Sequence, residues 1–469
     1  MNTQRICQLG ALVTALACGH AAAATTTDNS NATLIQHGHY AAIAGDCVAC
    51  HTAPGGKPFA GGLPLPTPIG NIIATNITPS KTAGIGNYTE QQFSDALRRG
   101  IRADGAHLYP AMPYPSYAQI SDADVQAMYA YFMHAVTPVD VATAPTRLPF
   151  PFNIRQSMAV WNLLFVDNKP FTPDPGKSPE WNRGAYLVRG LTHCSDCHSP
   201  RNLLMAKQSS RDLAGGELDA WLAPNITSDV NSGIGGWSSQ DIVDDLRSGH
   251  ATGKAQAAGG MAEAIDNSLQ HLTSADLLAI ATYLKAVPAQ HDPADTQPVY
   301  SWGAAFDELD SLRGVPLPKD ANQMSGAQIY DAYCSTCHQA RGQGSFDGGL
   351  PSLFHNTATG RSQPGNLVMV ILHGIQWQSH GTDVRMPGFA HELSDQQIAT
   401  LGSWLTRHYG NPSASVSADQ VKTLRAGGAP SHLLLITRLA MVVVVLVIIA
   451  IIGMLIRRKR RKARSTGHS

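Results

Sequence analysis

Short segments in which apolar residues recur every three or four positions, the spacing of one helix face, are distributed along the chain. They predict helices over 38–47, 90–99, 122–133, 184–190, 239–248, 274–286, 325–333, 365–373 and 394–408. Ser121, Ser238, Thr273 and Ser394 stand at the starts of four of these segments, where a side-chain oxygen caps a helix. Because no comparable run alternates β-branched with polar residues, the pattern predicts a mainly α-helical fold.

Both ends of the chain carry longer apolar stretches. Near the N-terminus, Arg5 precedes an apolar run and then small residues, which predicts a secretory signal peptide over 1–24. Near the C-terminus, the apolar run 433–456, interrupted only by Arg438, is long enough for one transmembrane helix. The basic tail 457–469 follows it, so the positive-inside rule predicts a cytoplasmic tail with everything upstream in the periplasm.

Composition narrows the class of protein. A chain of 469 residues is long enough for about three domains. Lys plus Arg and Asp plus Glu number 34 each, so the formal net charge is zero and no basic field exists to bind nucleic acid. The 43 glycines and 29 prolines indicate a loop-rich fold, which suits wrapping around a large prosthetic group.

One part of the chain is duplicated. Four features recur at an offset of 149 residues: Asn76-Ile77-Thr78 as Asn225-Ile226-Thr227, Gly84-Ile85-Gly86 as Gly233-Ile234-Gly235, Gly100 as Gly249, and Met112 as Met261. A repeat at a fixed period indicates a duplicated domain. A third module lacks the first two features, but Gly374 precedes Met386 by twelve residues, the separation of Gly100 from Met112.

Proline-rich stretches separate the modules and predict linkers. The predicted order is a signal peptide (1–24), domain 1 (33–137), a linker (138–180), domain 2 (181–287), a linker (288–322), domain 3 (323–411), a transmembrane helix (433–456) and a basic tail (457–469). Each of the three domains contains one copy of the same cysteine motif.

That motif is C-x-x-C-H, in which two thiols three positions apart can each add to one vinyl group of a porphyrin. The adjacent imidazole then lies under the iron. A thioredoxin-like redox pair needs no trailing His, and a zinc site needs partner thiolates that this chain lacks. The strings therefore predict three covalently bound haems c, attached through Cys47, Cys50, Cys194, Cys197, Cys334 and Cys337.

The other two cysteines, Cys7 and Cys18, fall within the predicted signal peptide. If both leave with that peptide, no cysteine remains for a disulfide. The alternative is that Cys18, which follows Ala15-Leu16-Ala17, is a lipid-attachment cysteine.

The same motifs predict the ligands of each iron. The proximal ligands are the motif histidines His51, His198 and His338, and the sixth ligands are Met112, Met261 and Met386, which occupy matching places. A thioether keeps an iron six-coordinate and raises its potential, which suits electron transfer.

Two alternatives to these ligands stay open. Met261 lacks the proline that follows Met112 and Met386, and Met205 is its rival. His107, His250, His373 and His380 are alternative distal ligands that would lower a haem potential, and they are expected instead at the surface or beside propionates.

These motifs resemble the triple-haem cytochrome c subunit of bacterial membrane-bound dehydrogenases, of the gluconate 2-dehydrogenase, alcohol dehydrogenase and fructose or sorbitol dehydrogenase type. The resemblance covers nearly the whole mature chain. It is carried by the three C-x-x-C-H strings, the duplicated segment with its Arg98-Gly100 and Arg247-Gly249 pairs, and Leu108-Tyr109-Pro110 before Met112-Pro113-Tyr114.

The resemblance implies three cytochrome c-like domains in tandem in the bacterial inner membrane. A separate large subunit carrying FAD or pyrroloquinoline quinone (PQQ) would pass electrons through the haems to ubiquinone. The complex would contain either these two subunits or a third small subunit as well. The long C-terminal span favours the flavin-linked type. In the third module, which is built differently, the implied ligand rests on Met386 alone.

The residues themselves argue against a substrate-processing enzyme, since they contain no paired acid and base, nucleophile elbow or nucleotide-binding glycine loop. The alternatives are an electron-transfer subunit of a respiratory oxidase, a free-standing membrane cytochrome, and a haem peroxidase with one open iron position.

Overall fold

A computed structural model describes residues 30–218, 220–346, 349–379 and 382–465. The predicted signal peptide with Cys7 and Cys18, and also His380, lies outside the described residues. Within them, helices dominate and the strands form only short two-stranded ribbons. The prediction of a mainly helical fold is confirmed.

Three helical modules follow one another along the chain. The first contains α1 (30–44), α2 (Cys47–Cys50), β1 (Pro64–Leu65), β2 (Ile72–Ile73), α3 (Glu90–Arg99), α4 (Tyr114–Tyr117) and α5 (Asp122–His134). After α6 (Ser157–Phe165), the second contains α7 (Pro179–Tyr186), a π-helical turn (Leu187–Leu191), α8 (Ser195–His198), β3 (Gly216–Leu218), β4 (Trp221–Ala223), α9 (Ser239–Ser248), β5 (His250–Ala251), β6 (Ala255–Gln256), α10 (Gly259–Asn267) and α11 (Ser274–Leu284). The third contains α12 (Gly326–Tyr333), α13 (Ser335–His338), α14 (Thr357–Gly360), α15 (Gly365–His373), β7 (Ile375–Ser379), β8 (Thr382–Met386), α16 (Asp395–Tyr409) and α17 (Ala418–Arg425), and α18 (Leu433–Ser465) ends the described chain.

Helix starts follow the local chemistry of the sequence. The side chains of Ser121, Ser238, Thr273 and Ser394 each accept a hydrogen bond from the backbone N–H three residues later. This satisfies one donor that a helix end otherwise leaves unpaired. All four predicted caps are confirmed.

In each module, the helix before the cysteine motif crosses a later helix of the same module, α5, α11 or α16, at a glycine. A methyl group built on these glycines would approach the Ala127 carbonyl oxygen to 1.8 Å from Gly38, the Ala279 carbonyl oxygen to 1.9 Å from Gly184, and Trp404 Cβ to 2.3 Å from Gly326. Only glycine permits so close an approach. The third module therefore shares this crossing with the duplicated pair, although it lacks their other repeated features.

The first two modules contact each other through a reciprocal pair of hydrogen bonds. Tyr40 of the first module donates to the Asp276 carboxylate of the second at 2.6 Å. Tyr186 of the second module donates to the Asp124 carboxylate of the first. Each carboxylate belongs to the first turn of a last helix, α5 or α11. The duplicated modules therefore face each other with approximate two-fold symmetry, as in a self-complementary dimer.

The Asp276 carboxylate, which belongs to the second module, is kept ionised by its surroundings. Arg183 donates two hydrogen bonds to Asp276, at 2.8 and 2.7 Å. Burial alone would raise the pKa of Asp276, but the hydrogen bonds from Arg183 and Tyr40 hold it below its ordinary value. The interface thus contains a charged acceptor at neutral pH.

The third module packs against the second. The Asn366 side chain accepts from the Leu222 N–H at 2.9 Å and donates to its carbonyl at 2.8 Å. Trp377 of the β7–β8 hairpin belongs to the apolar core of the first two modules and lies over Gly249. All three modules therefore share buried surface.

Several elements of the fold were not predicted, among them the short strands and the helices α6, α10 and α17. The strands are two to five residues long, too short for an alternating pattern to be recognised. Helix α6 lies within the predicted linker 138–180, where the neighbouring prolines hid its single apolar segment.

Helix α18 is long and apolar enough over Leu433–Arg458 to cross a membrane, and its apolar residues are exposed on the protein. The predicted span 433–456 falls inside it.

We expect Gly184→Ala to lower the free energy of unfolding by about 1–3 kcal/mol, because the new methyl group collides with a backbone carbonyl rather than with a mobile side chain. Thermal unfolding followed by circular dichroism measures the effect. Gly365→Ala is the matched control, since a methyl group there meets nothing within 4 Å. Equal midpoints for the two variants would contradict the close crossing.

Candidate functional site

Each cysteine motif lies on a short helix, α2, α8 or α13, at the end of a longer one. The six motif cysteines form no disulfide with one another or with another described residue. Burial raises the pKa of the Cys47, Cys197 and Cys334 thiols to about 12. Buried neutral thiols of this kind are poor redox or zinc ligands, which need a thiolate. Among the described residues, no group of three or more His, Cys, Asp or Glu side chains is placed to hold a metal ion, which disfavours the zinc alternative.

The motif histidines are all oriented in one way. Nδ1 of His51 lies 2.7 Å from the Thr75 carbonyl oxygen, and Nδ1 of His198 lies 2.7 Å from that of Pro224. His338 makes the same contact with Pro351 at 3.2 Å. A carbonyl oxygen can only accept, so Nδ1 carries the proton and Nε2 keeps its lone pair.

The protonation of these rings suits a metal ligand. Burial lowers the pKa of His51, His198 and His338 below the ordinary value, although the hydrogen bonds to backbone carbonyls oppose the shift. A neutral imidazole with a fixed Nδ1–H presents Nε2 as a donor atom to iron. All three motif histidines meet this requirement.

The duplicated Asn-Ile-Thr segment holds the carbonyls in place. Thr75 directly precedes Asn76, whose side-chain oxygen accepts from the Thr78 N–H at 2.9 Å and hydroxyl at 2.7 Å. Asn225 makes the same two bonds with Thr227, at the same distances. The repeated segment is thus a locked turn that positions the acceptor for the motif histidine.

The repeated glycines close this turn. The Ile85 N–H donates to the Thr78 carbonyl at 2.9 Å, and a methyl group on Gly84 would lie 2.1 Å from that oxygen. In the second module, the Ile234 N–H donates to the Thr227 carbonyl at 2.9 Å. The Gly-Ile-Gly signal therefore reports packing around the turn rather than a separate binding site.

Met112 lies in a loop held from two sides. The Tyr114 ring covers Gly100, where a methyl group would come within 2.8 Å of it. The Tyr114 hydroxyl donates to Asn162 in α6 at 2.7 Å, and the Tyr109 hydroxyl donates to the Phe152 carbonyl at 2.7 Å. The segment between the first two modules thus fixes the loop that carries Met112.

The other two predicted methionines lie in different local structures. Met261 is in the first turn of α10, and Met386 ends β8, paired with Ile375. The equal twelve-residue separations therefore span hairpins of different length. Met112 and Met261 both pack against the apolar core that Cys47 and Cys194 also contact, whereas Met205 lies in a turn with φ of 62°. Met205 borders a large cavity together with Cys197, so Met205 and Met261 both remain candidates for the sixth ligand of the second iron.

Within the described residues, the histidines considered as alternative iron ligands lack the backbone-carbonyl contact that the motif histidines make. His250 Nδ1 lies 3.1 Å from the Gln256 side-chain oxygen, and His373 is exposed at the end of α15. His107 Nδ1 is buried and finds no partner in the part of the chain that is described. His380 is outside the described residues.

The attachment sites of modules one and two approach each other. Ser116, beside the Met112 loop, donates to Asp196 inside the second motif at 2.6 Å. The Tyr117 ring lies 5.5 Å from the ring of His193, which precedes that motif. The reciprocal interface thus brings the first two motifs together.

A large cavity lies beside the first two motifs, and two residues outside its lining carry buried donors that lack partners in the described part of the chain. The cavity has a volume of about 1630 Å³ and is bordered by Cys50, Cys197 and Arg361 together with many apolar residues. On α3, Nε and Nη2 of Arg98 are buried and find no acceptor among the described residues, as is also true of the Trp237 Nε1–H. Buried donors normally have partners, so these are suited to haem propionates. The residues present therefore fit covalent haem.

Arg361 was not predicted from the sequence. It follows α14 of the third module but borders the cavity beside Cys197 of the second. Burial lowers its pKa, while nearby Asp295 opposes the shift. Its charge also lowers the pKa of His198, after the larger effect of burial. No motif marks a residue that one module supplies to another, so only the fold could identify it.

The backbone acceptors were also missed, although a signal for two of them was present. Thr75 and Pro224 share the 149-residue offset of the Asn-Ile-Thr segments that follow them. Pro351 has no such segment after it. A backbone carbonyl can belong to any residue type, so no sequence pattern identifies it as an acceptor. The repeat indicated the turn but did not indicate that the turn positions the acceptor of the motif histidine.

Helical modules that each present a C-x-x-C-H helix with an imidazole held through Nδ1 define a c-type cytochrome. The family described as "Cytochrome c" matches residues 35–135, and that described as "Cytochrome C oxidase, cbb3-type, subunit III" matches 321–405. Such domains imply covalently bound haem c.

Curated relatives identify the family more closely. The chain is 47% identical over 405 residues to the fructose dehydrogenase cytochrome subunit of Gluconobacter japonicus, covering 84% of this chain and 83% of that one. It is 40% identical over 417 residues to the gluconate 2-dehydrogenase cytochrome c subunit of Pantoea cypripedii, covering 86% and 92%. The cytochrome c subunit of the quinone alcohol dehydrogenase of Gluconobacter oxydans is 39% identical over 421 residues, covering 87% and 85%. The chain therefore belongs to the family of cytochrome subunits of dehydrogenases, and the predicted resemblance is confirmed.

We expect Arg361→Gln to lower the midpoint potential of one haem by tens of millivolts, since a nearby positive charge favours the reduced form. A tenfold change in a one-electron equilibrium corresponds to about 59 mV. Potentiometric titration measures the shift. Arg361→Lys should keep most of the potential, and Arg313→Gln, at a 77% exposed side chain, should leave it unchanged. Identical potentials in Arg361→Gln and the natural protein would contradict this role.

Proposed function

We propose that the chain carries electrons through three covalently bound haems c, from a dehydrogenase subunit that contains FAD or PQQ to ubiquinone in the inner membrane. One observation carries the proposal: three cysteine motifs present an imidazole in the same orientation, with Nδ1 bonded to a backbone carbonyl. The iron ligands would be His51 with Met112, His198 with Met261, and His338 with Met386.

The bound haems would supply one-electron redox chemistry, and the chain would set its conditions. Methionine ligands would favour electron transfer over reaction with oxygen or peroxide. Burial of the motif histidines would exclude water from the proximal side. The close approach of the first two motifs supports electron exchange within the duplicated pair.

The partner follows from the family. The relatives are cytochrome subunits of a fructose, a gluconate and a quinone alcohol dehydrogenase, so a large subunit of this kind, with or without a third small subunit, is the proposed donor. Substrate oxidation would occur on that subunit. By the resemblance to this family, the long C-terminal helix favours a flavin-linked partner.

Helix α18 would hold the complex to the membrane. Its apolar part, Leu433–Arg458, has 26 residues and extends about 39 Å at 1.5 Å per residue, enough to cross the hydrocarbon layer. The basic residues after it favour a cytoplasmic tail and periplasmic haem domains. This topology would place the electron-carrying modules on the side where exported dehydrogenases act.

Replacing Cys194 and Cys197 together by Ala should reduce the covalent haem content from three to two per chain. The pyridine haemochrome assay, referred to the protein concentration, measures that ratio. Ser335→Ala changes an intervening residue of the third motif and should keep all three haems. A natural chain with two haems, or a double variant that keeps three, would contradict the assignment.

A C-terminal tag on the chain, solubilised with its membrane in mild detergent, should co-purify a larger flavoprotein or quinoprotein dehydrogenase. Mass spectrometry identifies the partner, and a ubiquinone analogue tests whether the partner's substrate reduces quinone. Copurification with oxidase subunits would instead support the oxidase alternative, for which the match of 321–405 is the relevant observation. Rapid peroxide turnover by the isolated chain would favour the peroxidase alternative.

A further inference from the structure

The loops that lead to the predicted methionine ligands of the first two irons share one frame. Gly100 and Gly249 end α3 and α9 with φ of 62° and 67°. The Leu108 N–H donates to the Gly100 carbonyl at 2.7 Å, and the Ala257 N–H donates to the Gly249 carbonyl at the same distance. In both modules, the predicted ligand follows four residues after this donor. The duplicated sequence therefore produces the same backbone path up to the methionine.

The aromatic ring that covers this frame comes from a different part of the chain in each module. In the first module the ring is that of Tyr114, whose Cδ1 would lie 2.8 Å from a methyl group on Gly100. The residue at the matching place of the second module, 149 positions later, is Glu263. A methyl group on Gly249 would instead meet Cζ2 of Trp377 at 2.2 Å. The third module thus supplies to the second a ring that the first module supplies to itself.

Two neighbouring residues of β7 contact the chain on both sides of α10, the helix that carries Met261. Trp377 packs over Gly249, which lies twelve residues before Met261. The Gln378 carbonyl accepts from the Gln270 side chain, three residues past the end of α10, at 3.1 Å. The β7–β8 hairpin therefore brackets the segment that would present the sixth ligand to the second iron.

Trp377 is held by packing. The residue is 5% exposed and belongs to the same buried cluster as Ala262 and Ile265 of α10. Val384, its cross-strand partner in the hairpin, also packs against that cluster. The indole N–H of Trp377 has no acceptor in the part of the chain that is described. The size of the ring, rather than a hydrogen bond, therefore determines how α10 is seated.

The same hairpin carries the predicted ligand of the third iron. Met386 ends β8 and pairs with Ile375, which lies two residues before Trp377 on β7. Two residues of a strand span about 7 Å. The segments that carry the predicted sixth ligands of the second and third irons are thus joined through one short hairpin.

We propose that Trp377 is a positioning residue of the second module: its ring, supplied by the third module, seats α10 so that Met261 reaches the second iron. This inference rests on the proposed function, in which Met261 is the sixth ligand. Pro113 and Pro387 directly follow the other two predicted ligands and restrict their backbone, whereas Ala262 follows Met261. The contact from Trp377 replaces that local restriction with one from another module.

The test is a potentiometric titration of the full haem-loaded chain in detergent, with Met261→His identifying the second haem because an imidazole ligand lowers its potential. Trp377→Leu should lower the same potential, with about a tenfold change in the reduction equilibrium, or about 59 mV. It should also weaken the charge-transfer absorption of methionine-ligated ferric iron. An unchanged second potential and absorption would overturn the inference.

Trp404→Leu is the matched control, because it makes the same substitution within the third module. Trp404 packs against the core of that module and donates to Glu308 at 2.8 Å. The second potential should therefore stay at its natural value. An equal shift in Trp377→Leu and Trp404→Leu would reduce the effect to a general disturbance of the third module and contradict a positioning role.

A double-variant cycle decides the question if Trp377→Leu does not retain its haems. Gly249→Ala places a methyl group against the indole ring and should lower the second potential. Trp377→Phe makes room for that methyl group, so the double variant should recover most of the loss. The backbone strain at Gly249 is the same with either ring, so the cycle isolates the contact between the two modules. Effects that only add, or a natural potential in Gly249→Ala, would overturn the inference.

Met261→His separates this inference from the ligand assignment on which it rests. If Met261→His leaves all the haem potentials unchanged, Met261 is not a ligand, and the proposed ligation and the inference both fall. If Met261→His lowers one potential and the Trp377 variants leave that potential unchanged, the ligand assignment stands and only the inference is wrong.

Discussion

The hydrogen bond from each motif histidine to a backbone carbonyl is the constraint around which the modules are built. An imidazole on a four-residue helix could rotate about its side-chain bonds, and the bond from Nδ1 removes that freedom while selecting the tautomer. In the duplicated modules, the acceptor belongs to a turn locked by Asn76 or Asn225 and closed by glycines. Loops that appear irregular in the sequence therefore position the backbone carbonyls that orient the motif histidines.

The duplication explains how the first two sites come to lie together. The helix crossing at Gly38 and at Gly184 gives both modules the same frame, and the Tyr–Asp bonds then join them reciprocally. The second module has one more residue between its crossing glycine and Cys194, and the π-helical turn Leu187–Leu191 lies in that interval. A π-turn accommodates one extra residue within a helix, so the frame survives the insertion.

Sequence reasoning located what depends on residue type and short-range spacing. The helices, their caps and the cysteine motifs follow from periodicity and local chemistry, which need no knowledge of the remaining fold. It did not locate Thr75, Pro224 or Arg361, because a backbone acceptor has no side-chain signature and Arg361 acts across a module boundary. It also missed α6, because the contacts that stabilise this helix come from distant residues such as Tyr114.

The segment between the first two modules shows why a linker assignment from composition can mislead. Proline content correctly indicated an extended path, but Phe152 and Asn162 accept from Tyr109 and Tyr114 on either side of Met112. At its other end the same segment meets α18, where the Phe150 carbonyl accepts from Arg438. One continuous stretch thus contacts both the proposed ligand loop of the first module and the start of the apolar C-terminal helix. The contacts with the start of α18 and with the Met112 loop therefore lie about a dozen residues apart on one stretch of chain, which does not pass through the third module.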